Sequence, residues 1–234
     1  MILPNQTFGL GDCIFTQTLV HEIAKGEQVI WPVFTAIVKG LNRAYPHIKF
    51  VDCYKEPIID TNKRGEYYWN GYRVLPLRFA QEILRKPYKE CMRNKYDLYN
   101  MDWNRWKDKA MYQRDYEREE RLHNALVPKE DGLFVPYNLI NNTFRSDFKG
   151  KLQLHPNNGL HNVYMGIQDG YSLFDWSYLI EHATEIHTAS TSIIYLFELL
   201  DLDMPIHIYP RAPIEPTLEA IDYILTKRNY ILHQ

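Results

Sequence analysis

The chain has 234 residues, of which 45% are hydrophobic, so it is long enough for one large domain or two small ones with a substantial core. Its formal net charge of −2 produces no whole-molecule field that would favour or exclude a nucleic-acid partner. The three cysteines are odd in number and widely spaced, which excludes a disulfide framework and a cysteine zinc site and fits a reducing compartment.

No run of roughly 18 apolar residues predicts a membrane span, and the N-terminus lacks the basic and apolar regions of a signal peptide. We therefore expect a cytoplasmic protein. The nine histidines show no ligand spacing such as HExxH, and no GxSxG or P-loop motif is present. The sequence thus predicts no metal site and no nucleophile elbow.

The first 52 residues alternate between strand and helix patterns. Strands are predicted over 1–6, 28–33 and 48–51, and helices over 13–25 and 34–45. This alternation is typical of a parallel sheet covered by helices. Residues 53–100 are less regular, with a strand expected near 73–77 and a short helix over 79–84.

A long polar helix is predicted over 102–126, with six basic and six acidic side chains. Because the opposite charges cancel, the pattern favours a solvated helix with many salt bridges. The alternative is a nucleic-acid contact surface that includes Trp103 and Trp106. The turn residues 128–132 that follow predict a hinge between two domains.

A second alternation of strands and helices follows the predicted hinge. Strands are predicted over 133–141, 151–155, 161–165, 185–187 and 206–209, and helices over 173–183, 193–202 and 216–228. The expected fold is therefore α/β, with two Rossmann-like domains, 1–127 and 128–234, that face each other across a cleft.

A glycine-rich turn, Gly9-Leu10-Gly11-Asp12, opens the first predicted helix. Glycines let the backbone turn sharply and approach a ligand closely. The turn lacks the third glycine of the dinucleotide fingerprint, so it gives NAD binding little support. Asp12 has two interpretations, a helix N-cap or a carboxylate base that faces the cleft.

Two loops of the second half follow predicted strands, where open α/β sheets bind ligands. Arg145 follows the strand over 133–141 and is either a two-point phosphate clamp or a surface arginine. Asp169, between Gly166 and Gly170, either accepts hydrogen bonds from ligand hydroxyls or is a turn residue.

A hydroxyl-rich segment precedes the helix predicted over 193–202. Its hydroxyl residues are Thr188, Ser190, Thr191 and Ser192. A helix start with free N–H groups and hydroxyls suits an anion, although a simple capped helix would have the same appearance. Glu198 interrupts the apolar helix and is either a ligand for ribose hydroxyls or an exposed helix residue.

Residues 8–19, FGLGDCIFTQTL, resemble the N-terminal motif of the heptosyltransferase-like group of GT-B glycosyltransferases, the ADP-heptose–lipopolysaccharide type. The resemblance implies that Asp12 is the catalytic base and that Gly9 and Gly11 shape its loop. It also implies that 1–127 is the acceptor domain and 128–234 the donor domain, in which Glu198 binds the donor ribose. The residues implied to hold the donor diphosphate are His187, Thr188, Ser190, Thr191 and Ser192, with Arg145 as a phosphate partner.

The function implied is metal-independent transfer from a nucleotide-diphosphate sugar to an acceptor hydroxyl, with inversion and without a cofactor. The acceptor stays open between a glycan, a lipid-linked sugar and a modified DNA base. The last of these is used by some compact phage and viral transferases, for which the host cytoplasm would be the location. Two other functions remain possible on the sequence: a sugar-nucleotide epimerase on the same fold, and a non-catalytic nucleotide or nucleic-acid binding module.

Overall fold

The computed structural model describes residues 1–55, 60, 62–145, 149–166, 168, 170–211, 222–226 and 229–233. The chain packs as two compact units, Met1–Gln113 and Arg114–Gln234. The predicted α/β class with a parallel sheet is confirmed. No helix among the described residues has both the length and the apolar character that a bilayer crossing requires.

The first unit is a mixed sheet with helices. Its strands are β1 (Ile2–Pro4), β2 (Ile30–Val33), β3 (Lys49–Asp52), β4 (Tyr67–Trp69) and β5 (Tyr72–Leu75). Its helices are α1 (Leu10–Phe15), α2 (Gln17–Ala24), α3 (Thr35–Ala44), α4 (Ala80–Leu84) and α5 (Arg93–Asp97). Strands β1 and β5 pair in parallel, as do β2 and β3, and a parallel bridge between Ile2 and Val29 links the two pairs.

The helix predicted over 13–25 is two helices that meet at Thr16. The Thr16 hydroxyl donates to the Asp12 carbonyl oxygen at 2.7 Å, a local bond that competes with regular helix geometry. The aromatic residues near 70 form a β4–β5 hairpin. Asn70 and Gly71 have φ of 47° and 82°, as a type I′ turn requires.

The prediction of a single helix over 102–126 is wrong. A 3₁₀ segment, Trp103–Lys109, is separated from helix α6, Tyr116–Leu126, by non-helical residues. The Asp115 carboxylate accepts a hydrogen bond from the Arg118 amide and therefore starts α6. Trp106 is 2% exposed and packs on Phe15 with ring centroids 5.2 Å apart, so it is not part of a nucleic-acid surface.

Helix α6 lies in the second compact unit, which begins at Arg114. Residues 128–132, the predicted hinge, lie in a small hairpin of β6 (Lys129–Glu130) and β7 (Leu133–Phe134). Its turn is Asp131-Gly132, with φ of 50° and 81°, again the pattern of a type I′ turn. The assignment of the units to acceptor and donor binding stays a prediction.

The described part of the second unit contains a five-stranded sheet of order β11-β8-β12-β13-β14, in which all neighbours are parallel. The strands are β8 (Tyr137–Asn141), β11 (His161–Tyr164), β12 (Glu185–Ala189), β13 (Ile206–Tyr209) and β14 (Tyr230–Leu232). Helices α7 (Ser177–His182) and α8 (Ile193–Leu199) precede and follow β12. Strand β8 is buried along its whole length, as central parallel strands are.

Two predictions for this unit differ from the structure. The strand expected over 151–155 does not form: Lys151 ends β10 (Lys149–Lys151), which pairs antiparallel with β9 (Thr143–Arg145), and 152–155 are in no strand. The helix expected over 216–228 lies largely outside the described residues, and 222–224 form a 3₁₀ turn. Strand β14 was not predicted.

Candidate functional site

The second unit has a topological switch point between β8 and β12. In chain order its sheet reads 2-1-3-4-5, so the chain leaves β8 towards β11 on one side and returns to β12 on the other. Open α/β sheets bind ligands beyond the carboxyl ends of the strands at such a point. The residues at these ends are Asn141 on β8 and Thr188 and Ala189 on β12.

A buried hydrogen-bond network occupies this edge. The Asn141 side-chain amide donates to the hydroxyl oxygens of Thr188 and Thr191, each at 2.9 Å. Asn141 and Thr188 are opposite each other in the β8–β12 register and therefore share one face of the sheet. The Thr188 hydroxyl donates onward to the Ala189 carbonyl oxygen at 2.8 Å. The network fixes the orientation of two predicted donor-binding hydroxyls.

Two polar groups next to this network are buried without a hydrogen-bond partner among the described residues. They are the Ser190 hydroxyl and the Asn142 side-chain nitrogen, in residues that are 0% and 2% exposed. Leaving such a group unpaired costs about 1–3 kcal/mol, so a ligand or an ordered water that accepts from it would stabilise the site. Both atoms can donate hydrogen bonds, so the arrangement suits a ligand rich in acceptor oxygens.

The hydroxyl residues do not all gather at one helix start, which corrects the expectation from the sequence. Thr188 lies within β12, and Ser190, Thr191 and Ser192 connect the strand to α8. Helix α8 has seven residues, and the Ser192 side chain makes no capping hydrogen bond. The ends of the strands, rather than a long helix dipole, therefore define the site.

His187 lies on the other face of β12, because successive side chains of a strand point to opposite faces. There it meets Glu185 and His207, and the three ligand atoms of this group lie within 4.8 Å of one another. Burial, together with the charge of His207, lowers the pKa of His187. His187 is thus separated from the Asn141 network, and its predicted donor role remains a prediction.

Glu198 is buried and its carboxylate is engaged within the chain. It accepts hydrogen bonds from the Thr226 amide at 3.0 Å, the Thr226 hydroxyl at 2.6 Å and the Tyr230 hydroxyl at 2.7 Å. It is therefore not an exposed helix residue, and a ribose contact would require it to exchange these partners. The Arg145 side chain and Asp169 lie outside the described residues, although the Arg145 backbone belongs to β9.

Asp12 lies in the first turn of α1 in the first unit. Its side chain is 30% exposed, and its Oδ1 atom is 3.0 Å from the ammonium group of Lys95. Lys95 is buried, and it also donates to Gln6 Oε1 at 2.6 Å and to the Leu77 carbonyl oxygen at 3.3 Å. The structure thus holds the Asp12 carboxylate in one position while leaving part of it accessible. Sequence reasoning missed Lys95, since no local pattern connects it to Asp12.

Asp12 does not cap α1. The N-cap residue is Gly9, with φ of 86°, and no side-chain capping bond is present. A Cβ atom on Gly9 would overlap the Asp12 carboxylate. Gly9 therefore provides both a backbone conformation that other residues rarely adopt and the space for the carboxylate. Gly11 is buried within the first turn.

Exposed aromatic rings lie near this loop. Phe8, Phe34 and Tyr54 follow β1, β2 and β3, and their side chains are partly or largely exposed. Their ring centroids are 6.3 Å and 5.9 Å apart in succession. Arg78 lies over the Phe8 ring at 5.2 Å. The carboxyl ends of these strands thus present flat apolar faces beside the loop that carries Asp12.

The chain is similar to known proteins in fold but not in sequence. No protein-family model and no curated protein matches the chain in sequence. The structure is similar to TibC, an iron-containing dodecameric glycosyltransferase from enterotoxigenic E. coli, with a TM-score of 0.54 and 12% identity. The match covers all of this chain and 62% of TibC, so the chain spans less than two thirds of that protein.

A second solved structure, a family 9 glycosyl transferase from Veillonella parvula, matches with a TM-score of 0.48 and 9% identity. That match covers 99% of this chain and 86% of the other. At 12% identity, the similarity to TibC shows a fold that this glycosyltransferase also has.

Proposed function

We propose that the protein is a glycosyltransferase that moves a sugar from a nucleotide-diphosphate sugar to an acceptor hydroxyl. The observation that carries the proposal is the polar edge at the β8–β12 switch point. There, oriented threonine hydroxyls lie beside the unpaired donors of Ser190 and Asn142. The similarity in fold to TibC and the heptosyltransferase-like motif over residues 8–19 support the same class.

In this proposal the second unit binds the donor. The hydroxyls of Ser190 and Thr191 and the amide nitrogen of Asn142 donate to oxygens of the diphosphate. As the bond between sugar and phosphate breaks, the leaving diphosphate gains negative charge, and fixed donors stabilise that charge most when it has fully developed. Protein donors thereby take the role that a divalent ion has in other transferases, so transfer is metal-independent.

The first unit binds the acceptor and supplies the base. Asp12 removes the proton from the acceptor hydroxyl as its oxygen forms the new bond to the sugar. The ion pair with Lys95 engages one carboxylate oxygen, which leaves the other as the proton acceptor. A single displacement of this kind inverts the configuration at the sugar carbon. The two units would then be the acceptor and donor halves of a GT-B enzyme of the heptosyltransferase-like group.

The exposed rings of Phe8, Phe34 and Tyr54 favour an acceptor with a flat apolar face. A sugar ring of a glycan or of a lipid-linked saccharide provides this, and so does a nucleobase. The ring contacts therefore support acceptor binding beside Asp12.

The proposal is tested first by a thermal-shift screen against sugar nucleotides. A ligand that binds only the folded state raises the melting temperature, so a stabilising donor identifies the class. Incubation of that donor alone, followed by product analysis, separates a transferase from an epimerase, which would convert the sugar nucleotide without an acceptor. A chain that no sugar nucleotide stabilises would contradict the proposal.

The role of Asp12 is tested with Asp12→Asn, which removes the charge and keeps the size of the side chain. We expect kcat to fall by about 10²–10⁴-fold while the donor-induced thermal shift is retained. Asp97→Asn, at an exposed acid on α5, is the matched control and leaves kcat unchanged. Loss of donor binding in step with activity would assign Asp12 to structure instead of catalysis.

A further inference from the structure

A second polar cluster lies in the same unit on the other face of β12. Glu185 and His187 are two residues apart on β12 and share a face, and His207 is opposite His187 in the β12–β13 register. The Nε2 atoms of His207 and His187 lie 2.7 Å and 3.1 Å from the same carboxylate oxygen, Glu185 Oε1. Two imidazoles and a carboxylate therefore converge on one point.

The far ends of these side chains are held by hydrogen bonds. The Nδ1 atom of His187 is 3.1 Å from the Tyr209 hydroxyl, and the Nδ1 atom of His207 is 2.9 Å from His233 Nε2. If both Nδ1 atoms carry their protons, the two Nε2 lone pairs are free to bind an ion. Groups that orient ligating histidines in this way are usual in protein metal sites.

The carboxylate is oriented as well. The Asn158 side-chain nitrogen donates to Glu185 Oε2 at 2.8 Å, which leaves Oε1 towards the two imidazoles. Asn158 is in turn hydrogen-bonded to Asn138 on β8. Each of the three converging groups thus has a polar partner on the side away from the point of convergence.

His187 also has an unpaired atom. Its Nε2 is buried and lies 3.1 Å from Glu185 Oε1, but outside the geometry of a regular hydrogen bond. His187 as a whole is 6% exposed. A buried ring nitrogen without a regular hydrogen bond lowers the stability of the fold, and coordination of a cation would offset that loss.

We propose that Glu185, His187 and His207 bind one divalent transition-metal ion through the Glu185 carboxylate and the two histidine Nε2 atoms. Imidazole nitrogen with carboxylate oxygen is a ligand set that Zn²⁺ and Fe²⁺ accept in proteins. Three protein ligands leave a further position for water. The ion would join β12 to β13 on the face away from Thr188, so it would be separate from sugar transfer.

Coordination requires a small rearrangement of the rings. His187 and His207 now stack 4.5 Å apart and 5° from parallel. A ring-nitrogen lone pair lies in the plane of its ring, so both rings must tilt towards a shared ion. Ligand atoms of tetrahedral zinc lie about 3.3 Å apart, since the bonds are about 2.0–2.1 Å long. The His187 separation from Glu185 Oε1, 3.1 Å, is close to this value, and the His207 separation, 2.7 Å, would have to lengthen.

The test uses the full chain, freed of metals by a chelator and dialysis. Zn²⁺ is titrated in competition with a chromophoric chelator, and Co²⁺ is titrated separately while its visible absorption is recorded. We expect one equivalent of Zn²⁺ with a dissociation constant of about 1 µM or lower. We also expect Co²⁺ bands typical of a low-coordinate nitrogen and oxygen site, and a higher melting temperature with Zn²⁺.

Three variants distinguish this site from incidental histidine binding. His207→Gln removes a ligand and should weaken Zn²⁺ binding by about 100-fold or more, whereas Asn158→Ala removes only an orienting bond and should weaken it about tenfold. His161→Gln, an exposed histidine on β11, is the matched control and leaves binding unchanged. If His207→Gln does not fold, judged by circular dichroism, Glu185→Gln replaces it.

Absence of a stoichiometric ion in the wild type would overturn the proposal, as would equal Zn²⁺ affinity in the wild type and in the folded ligand variant. Several weak equivalents that persist in all variants would show surface binding and would also overturn it. Donor binding and transfer are measured in parallel on metal-free protein. The proposed glycosyltransferase function can therefore fail or hold independently of this site.

Discussion

Ser190 is a polar residue in a fully buried position. Its hydroxyl is fully buried beside an ordered network, yet it has no hydrogen-bond partner among the described residues. A side chain selected only for packing would be alanine at this position, because the hydroxyl adds a desolvation cost and no contact. The proposed donor phosphate accounts for the hydroxyl.

Ser190→Ala should therefore have opposite effects on stability and on binding. We expect the free protein to become more stable by about 1 kcal/mol, because an unpaired buried hydroxyl is removed. The donor-induced thermal shift should decrease, because one phosphate contact is lost. Chemical denaturation and a donor titration measure the two effects. A loss of stability with unchanged donor binding would show that Ser190 has a structural role.

Gly9 and Gly26 form a natural comparison in the first unit. Both have positive φ, 86° and 88°, but a Cβ would meet Asp12 at Gly9 and nothing within 4 Å at Gly26. Alanine at either position should cost about 1–2 kcal/mol through the backbone. Gly9→Ala should reduce the free energy of unfolding by more than Gly26→Ala does. It should also abolish transfer activity, because the Asp12 carboxylate must move. Urea denaturation with activity assays decides this, and equal effects of the two changes would contradict it.

At the scale of elements, the sequence predicted most strands and helices of both units because apolar periodicity and turn residues mark them directly. It failed where a cap or a turn type decided the outcome. Asp115 begins α6 in the middle of a polar run that reads as one helix. Asn70-Gly71 and Asp131-Gly132 are type I′ hairpin turns, and the second lies within the segment predicted as a hinge.

Arg114, just before α6, pairs with a buried carboxylate on α6 and a partly exposed one on α7. Arg114 pairs with Glu119, which is 1% exposed, and with Glu181 at 2.7 Å. Burial raises the pKa of Glu119 even though Arg114 opposes the shift. Salt bridges do form in this region, as predicted. The most buried of them, however, join α6 to residues outside that helix.

Arg114→Ala should destabilise the protein by about 3–5 kcal/mol, because it leaves Glu119 buried without its partner. Arg121→Ala, in an exposed pair with Glu117, should cost less than about 0.5 kcal/mol. The cost of Arg114→Ala should shrink as pH falls, because protonation of Glu119 removes the uncompensated charge. Denaturation at several pH values checks both statements, and a cost that does not depend on pH would contradict the second.

For the whole molecule, the candidate sites could be predicted only in part. The motif over residues 8–19 identified Asp12, and hydroxyl spacing identified Thr188 to Ser192. Neither could supply Lys95, which reaches Asp12 only through the fold, or the grouping of His187 with His207 across two strands. The partners of Glu198 come from the C-terminal segment and leave no local pattern.

The two compact units lead to a prediction about where ligands act. Hydrogen exchange of the full chain should show that a bound sugar nucleotide protects amides near the ends of β8 and β12, within 138–145 and 188–195. The acceptor should protect the loop over 7–13 instead. Exchange measured by mass spectrometry with each ligand alone tests this. Donor protection confined to Met1–Gln113 would contradict the assignment of the donor to the second unit.

The position of strand β14 in the sequence affects when the second unit can fold during synthesis. It is one of the two edge strands of the described five-stranded sheet, it pairs with β13, and its Tyr230 contacts the buried Glu198. The ribosome adds residues one at a time, so β13 has an open edge until residues 229–233 have emerged. The first unit can fold during synthesis before the second, whose described sheet is completed only once residues 229–233 have emerged. Nascent chains that stall before residue 229 would therefore expose an unpaired strand and would depend on chaperones.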